Sequence, residues 1–308
     1  VINNAELKII EHHFKETLQQ VQRLYPMTPR PVIYFLAGSL PGSAHLHLRQ
    51  LTLFGMICRL PGSVLHKYAE YIYSSPSIKN KSWFQQIRDI CLLYKLPHPL
   101  QLMTSALPKL KFKKVIQSRV IDYWECTLRK EALPLTSLKY FNPAFMSLKR
   151  PHPIWSRVGS SPAKVTMATV QAQMLSGRYR TQHLCSLWSP NTSEFCQLSP
   201  ECATTVEDID HILKFCPALS KTRKKLLNYS LSYCDNFDAI KTIVEKYCHP
   251  AHPQFCQFLI DCSTLSDVIR TAQIYDDSVL EYLFTITRTF CYNMHKERLK
   301  ILGRWNHF

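Results

Sequence analysis

Two thirds of the way along the chain, four residues have the types and spacing to hold a metal ion. Cys196, Cys202, His211 and Cys216 follow one another as C-x5-C-x8-H-x4-C. Three thiolates and one imidazole complete the tetrahedral shell that structural zinc takes, and they leave no open position for water or substrate. Pro200 suits a turn between the first two ligands. Residues 206–215 read as a short helix that presents His211 on one face and delivers Cys216 at its end. The competing reading is a chance grouping of core cysteines with a surface histidine, in a chain that has 12 Cys. A second grouping, Cys248, His249, His252 and Cys256, fits a site less well. Its first two members are adjacent, and His249-Pro250 and His252-Pro253 read as loop punctuation.

The other chemistry on offer is positive charge. With 38 Lys+Arg against 22 Asp+Glu, the formal net charge is +16. The excess lies within residues 1–200 and is densest over 109–180, where only Asp122, Glu125 and Glu131 oppose it. Such a surface attracts polyanions by counterion release, and RNA or DNA is the commonest of these. The candidate contacts interleave cations with aromatics: Lys111, Lys113 and Lys114 around Phe112, then Arg178, Tyr179 and Arg180 with Trp188 close by. Lys221, Arg223, Lys224 and Lys225 could extend the same surface. Together they suggest phosphate contacts combined with stacking on unpaired bases. The plainer readings are core packing for the aromatics and a solvated helix face for the cations.

The elements that must position these residues are mainly helical. The chain has 308 residues, 46% of them hydrophobic and 19% charged, which is globular rather than disordered. Its 7 Gly are outnumbered by 19 Pro, too few for the turns of a dinucleotide fold or a large β-barrel. Helical apolar periodicity marks 5–25, with Leu7, Ile10, Phe14, Leu18, Val21 and Leu24 on one face. Further helices are expected over 44–59 and 64–73, then after an N-cap at Ser82, and through Trp124 to Leu133. Residues 134–162 are rich in Pro and Ser and read as an irregular linker. Ser161-Pro162 opens a helix that reaches Leu175 and stops at Gly177, and 218–232, 236–247, 254–272 and 277–302 are again helical. The expected fold is therefore all-α, with bundle-like domains carrying a small C-C-H-C knuckle. No apolar run is long enough to span a bilayer. Cys58, Cys91, Cys126, Cys262 and Cys291 sit singly in apolar segments and read as buried thiols of a reducing compartment. Val1-Ile2-Asn3-Asn4 lacks the basic-then-apolar pattern of a signal peptide, and an opening Val rather than Met is expected of a piece of something longer.

An ordered set of short stretches resembles the region beyond the polymerase core of LINE-type non-LTR retrotransposon reverse transcriptases. It begins with Leu40-Pro41 and His47-Leu48-Arg49-Gln50-Leu51-Thr52-Leu53-Phe54-Gly55, followed by Ser82-Trp83-Phe84-Gln85-Gln86-Ile87-Arg88. It continues through Leu175-Ser176-Gly177-Arg178-Tyr179-Arg180-Thr181 into the C-C-H-C cluster, with Glu207-Asp208 ahead of His211-Ile212-Leu213 and Cys216-Pro217 closing it. Arg288-Thr289-Phe290-Cys291-Tyr292 and Gly303-Arg304-Trp305 resemble the family's C-terminus. The resemblance implies a thumb-like helical continuation over 1–75, a basic segment and linker over 76–160, and a C-terminal domain over 161–308 holding the knuckle at 196–216. It also implies binding of the element's RNA and its target DNA during target-primed reverse transcription, beside the upstream polymerase domain of the same polyprotein, in a ribonucleoprotein of cytoplasm and nucleus.

Catalytic machinery is not expected. Polymerase activity needs a Tyr-x-Asp-Asp or Phe-x-Asp-Asp hairpin that holds divalent metals. Ile274-Tyr275-Asp276-Asp277 lacks the intervening residue, and its acids suit the start of a helix. A restriction-type nuclease of the kind some relatives carry needs Pro-Asp, which is absent, and Asp261, Asp267 and Glu281 lack the setting. No Cys–His pair or Gly-rich phosphate loop stands out. The expectation is a zinc-stabilised nucleic-acid-binding fragment that is not an enzyme by itself. The alternative is a helical protein-interaction scaffold derived from a decayed or repurposed element.

Overall fold

The computed structural model describes residues 4–74, 82–234, 237–275 and 278–303. Their secondary structure is mainly helical, and the only β-pairing among them is an isolated bridge between Phe195 and Val206. The chain groups into two compact units, Val1–Leu18 with Ser39–Glu131, and Gln19–Gly38 with Ala132–Phe308. The main cut between Glu131 and Ala132 falls inside the 76–160 segment rather than at its ends.

The first helix, α1 (Asn4–Val21), stops earlier than its periodicity suggests, and Ile10 and Val21 are exposed rather than inward. After α2 (Arg30–Ala37) the first unit continues with α3 (Gly42–Cys58), α4 (Val64–Ser74), α5 (Trp83–Leu93), α6 (Pro99–Thr104) and α7 (Lys109–Ala132). Leu51 and Phe54 of α3 are fully buried, and Phe54, Tyr73 and Phe84 meet edge to face. Ser82 caps α5 by accepting a hydrogen bond from Gln85 N at 3.2 Å, as its sequence position suggests. Tyr94 is buried, with its hydroxyl 2.7 Å from His47 Nδ1 and accepting from Trp124 Nε1 at 3.2 Å. The alternating stretch from Lys109 resolves into helix: Phe112, Ile116 and Val120, spaced by four, turn inward. Phe112 lies against Gly55, where an added Cβ would collide with its ring.

The second unit is built around α15 (Ser278–Ile301). Its buried residues Leu283, Phe284, Ile286, Phe290, Cys291 and Met294 run nearly its full length. Against it pack α8 (Pro153–Ser156), α9 (Pro162–Leu175), α11 (Ser220–Ser232), α12 (Asp238–Tyr247), α13 (Phe255–Asp261) and α14 (Ser266–Tyr275), with the short α10 (Gln182–Ser186) leading toward the cysteine cluster. Gln171 of α9 is completely buried and donates to the Leu259 carbonyl at 2.8 Å and to Thr287 Oγ1 at 3.1 Å, which satisfies its amide in the core.

Three expectations are corrected here. The linker expected over 134–162 is irregular apart from α8 and a tight helical turn at Pro143–Phe145, but it is not loose: Leu138, Tyr140, Phe141, Met146, Leu148, Ile154 and Val158 are all buried. Its apolar residues lack a period, so pattern reading sees no element, yet they still leave water. The helix expected over 254–272 is two helices, because Asp261 accepts hydrogen bonds from Ser263 N and Ser263 Oγ and so ends α13. Residues 206–208 are not helical and the helical stretch leading to Cys216 starts only at Ile209, for reasons that belong to the metal loop.

Candidate metal centre

Each of the four predicted ligands sits where local backbone geometry fixes it. Cys196 N donates to Thr205 O and Glu207 N donates to Glu194 O, each at 2.9 Å, which pairs 194–196 with 205–207 as a miniature hairpin. That pairing holds Val206 extended and replaces the helical start expected there. At the hairpin tip Ser199 Oγ accepts from Glu201 N, and Cys202 N donates to Ser199 O at 3.2 Å, so Pro200 does open the turn that carries Cys202. Asp208 Oδ1 then accepts from His211 N at 2.7 Å and starts one wide π-type turn, His211–Phe215. Cys216 N closes that turn on His211 O at 2.7 Å, and Pro217 prevents it from continuing.

The result is convergence. One ligand atom from each of Cys196, Cys202, His211 and Cys216 lies within 4.8 Å of the others, and all four residues are buried. The Cys196 and Cys216 sulfurs are 4.0 Å apart, and every cysteine among the described residues is a free thiol. Neither ring nitrogen of buried His211 has a hydrogen-bond partner. An imidazole left unpaired in this way loses its hydration for no return, unless a cation takes one nitrogen. Burial pushes the Cys196 and Cys216 thiols up and the His211 imidazole down, so apart from a metal these three groups prefer to be neutral. The donor set, the burial and the orphaned imidazole fit a bound metal ion.

The cations are divided by the fold. Lys111, Lys113 and Lys114 are exposed on the first turns of α7, the helix end whose dipole favours anions. Lys221, Lys224 and Lys225 are exposed on α11. Arg180 is exposed and lies 4.6 Å from the centre of the Tyr25 ring, and Arg178 is half-buried, 5.9 Å from that of Trp188. Two predicted contacts are withdrawn from solvent. Arg223 is buried: its Nε donates to Leu213 O at 2.8 Å and its Nη2 to Cys216 O at 3.0 Å, so it clamps the metal loop rather than facing a ligand. Tyr179 is 2% exposed, with its hydroxyl 2.8 Å from His295 Nδ1 and the Arg298 guanidinium 5.7 Å from its ring centre. It has no face for a base to stack on.

The residues that sequence reasoning missed are those supporting the loop. Glu207, wholly buried, accepts from Arg298 Nη2 at 2.6 Å and from Gln182 N at 2.8 Å, joining the hairpin to α15 and α10. Lys139 Nζ and the Tyr140 hydroxyl both donate to Asp210. A buried-type Glu-Asp pair just before a ligand histidine is a local signal, but nothing local points to a partner 91 residues away. The second Cys/His grouping does not gather. Cys248 and Cys256 are buried, while His249 Nδ1 and His252 Nδ1 accept from Ala251 N and Gln254 N in the loop, as their Pro neighbours suggest. Asp261, Asp267 and Glu281 form no metal-holding group among the described residues. Asp276, Asp277, Arg304 and Trp305 lie outside those residues. No family model, curated protein or solved structure matches the chain.

Proposed function

We propose that this chain is the post-polymerase, C-terminal region of a LINE-type non-LTR retrotransposon reverse transcriptase, and that it binds RNA and target DNA through cations ordered by a structural zinc ion. The observation that carries the reading is the build of α11. Its inner face, Arg223, Leu226 and Ser230, is buried, and Arg223 grips the carbonyls of the metal loop. Its outer face presents Lys221, Lys224 and Lys225 to solvent. Zinc would supply the cross-link that holds Cys196, Cys202, His211 and Cys216 together, and Arg223 passes that order to the three lysines. The soft three-sulfur, one-nitrogen set favours zinc over hard cations. The exposed lysines of α7 supply a second phosphate-binding surface in the first unit.

The fragment would act as the nucleic-acid-holding part of a larger ribonucleoprotein, with chemistry left to the upstream polymerase of the same polyprotein. The test is RNA affinity across a salt series for the wild type, Cys202→Ser, and the triple variant Lys221→Ala, Lys224→Ala, Lys225→Ala. Each phosphate contact with a single strand contributes about 0.7 to the slope of log affinity against log salt. The triple variant is expected to lower the slope by about 2, and Cys202→Ser to weaken binding by disordering the same face. Weak, salt-independent binding by folded wild type would overturn the reading. It would favour the protein-interaction scaffold, for which the exposed Met56, Leu60, Val64, Leu65 and Tyr68 of the first unit are the supporting observation.

A further inference from the structure

In the first unit, α3 and α7 meet where the Phe112 ring lies against Gly55. Next to that junction they leave an open groove of about 410 Å³. Its α3 side is a single stripe, since His45, Leu48, Arg49, Thr52, Leu53 and Met56 follow one another at helical spacing. The stripe runs about 16 Å, three turns of helix. Lys113, Ile116 and Gln117 of α7 complete the groove, and they too share one face.

The lining has two parts. Leu48, Leu53, Met56 and Ile116 make an aliphatic bed, in which Leu53 and Met56 are each 50% exposed. Apolar surface left in water in this way is surface that a partner gains by covering. Arg49 and Lys113 are both exposed, one on each helix, and no carboxylate lines the groove among the described residues. An aliphatic bed edged by cations complements a helix whose apolar stripe is flanked by acids. We propose that this groove docks an acidic amphipathic helix of a partner protein, about three turns long. Its Leu or Met anchors lie on Leu53 and Met56, and its Asp or Glu side chains meet Arg49 and Lys113. The unbranched, flexible Met56 lets the bed adapt to the anchor it receives.

Other occupants fit less well. A second copy of the chain carries a net charge of +16 and brings like charge to a basic rim. Single-stranded nucleic acid stacks its bases on aromatic side chains, and no Phe, Tyr or Trp lines the groove. The other two lysines of this stretch, Lys111 and Lys114, lie about 100° or more around α7 from Lys113. RNA and a partner helix therefore use different sides of α7. The docking site goes beyond the proposed function and does not rest on it.

The experiment measures binding of the full chain, by fluorescence anisotropy, to a labelled probe peptide of about 12 residues, enough to fill the three turns. The peptide carries Leu at i, i+3, i+4 and i+7 with Glu on both flanks. Its controls are a scramble of the same composition and a counterpart with Lys for every Glu. The wild type is expected to prefer the acidic peptide to both controls by about tenfold or more. The double variant Leu53→Ser, Met56→Ser changes exposed positions, and thermal melting checks its fold. It is expected to weaken the acidic peptide about tenfold and to leave the affinity for oligouridine unchanged. The charge-swapped variant Arg49→Glu, Lys113→Glu is expected to reject the acidic peptide and accept the lysine counterpart. Equal affinity of the wild type for the acidic peptide and its scramble would overturn the proposal, as would undiminished binding by both folded variants. Displacement of the peptide by oligouridine, with oligouridine itself weakened by Leu53→Ser, Met56→Ser, would make the groove a nucleic-acid seat and overturn it. A dimer in sedimentation that the same variant abolishes would make the groove a self-interface and overturn it as well. Loss of all RNA binding with the peptide preference intact would overturn the proposed function and support this inference.

Discussion

The second unit contains two stretches with cysteines and histidines at metal-like spacing, 196–216 and 248–256, and they behave oppositely. In the first, each ligand sits at a bend: a hairpin strand end, a turn opened by proline, and the two ends of one wide helical turn. Bends point successive side chains toward a common centre, so four residues from 21 converge within 4.8 Å. In the second, Cys248 closes α12 and Cys256 lies in the first turn of α13, and their thiols turn into the apolar core. The two histidines between them spend their Nδ1 atoms on loop amides. Residue types are nearly matched in the two stretches, and the difference lies in the backbone that carries them.

The sharpest way to break this contrast is to remove one cysteine from each stretch. Cys216→Ser is expected to abolish binding of the zinc ion proposed for the first stretch and lower the thermal midpoint by about 10 °C, the shift that a loss of about 4 kcal/mol gives in a unit of this size. Cys248→Ser is expected to keep the zinc and cost about 1 kcal/mol. Zinc content by atomic absorption, with thermal melts on the same samples, checks both. Equal zinc loss in the two variants would erase the distinction.

The next effect concerns the clamp. Arg223→Met leaves the carbonyls of Leu213, Ile212 and Cys216 without their donor, and a loss of about 3 kcal/mol is expected in urea unfolding. Zinc should remain bound but leave faster to a chelator. Arg223→Lys should recover only part of the stability, since one ammonium cannot serve the same spread of carbonyls. Full stability in Arg223→Met would show that the metal loop holds itself.

A smaller effect lies behind the loop, where Tyr179, His295, Arg298 and Glu207 form a buried network. Burial, with Arg298 nearby, pushes the His295 imidazole down to about 4. The unfolded chain therefore takes up a proton near pH 6.5 that the folded one refuses until about pH 4. Stability from this group is complete above the unfolded value and is lost as pH falls through that window, by about 2–3 kcal/mol. Urea midpoints of the wild type and His295→Gln between pH 7 and pH 4 check it. The wild type should fall more steeply than the variant, and parallel curves would remove His295 from the network's account.

The two basic stretches show where sequence reading stopped. In α7 the alternating Lys and Leu or Phe over 109–114 looks extended locally, yet the period of four through Phe112, Ile116 and Val120 decides the matter in favour of helix. The lysines stay outside whichever way the segment folds, so their exposure was legible. In α11 four cations lie within five positions, and the helix sends one of them inward. A buried arginine is expensive unless its donors are met, and the acceptors here are carbonyls of a non-helical loop that no propensity scale describes. Tyr179 failed for the same reason: its partners, His295 and Arg298, come from the last helix. Residues 134–162 were read as a linker because their apolar residues lack a period, whereas burial needs only that they face the core.

Local chemistry in the sequence determined the helical character, the stops at Gly177 and Pro217, the cap at Ser82 and the identity of the four metal-loop residues, because each depends on neighbours within a few positions. Tertiary structure alone decided that the four ligands meet, that Arg223 clamps rather than binds, and that Glu207 finds Arg298. Those outcomes depend on which distant backbone groups are stranded without a partner, and a linear sequence does not state that.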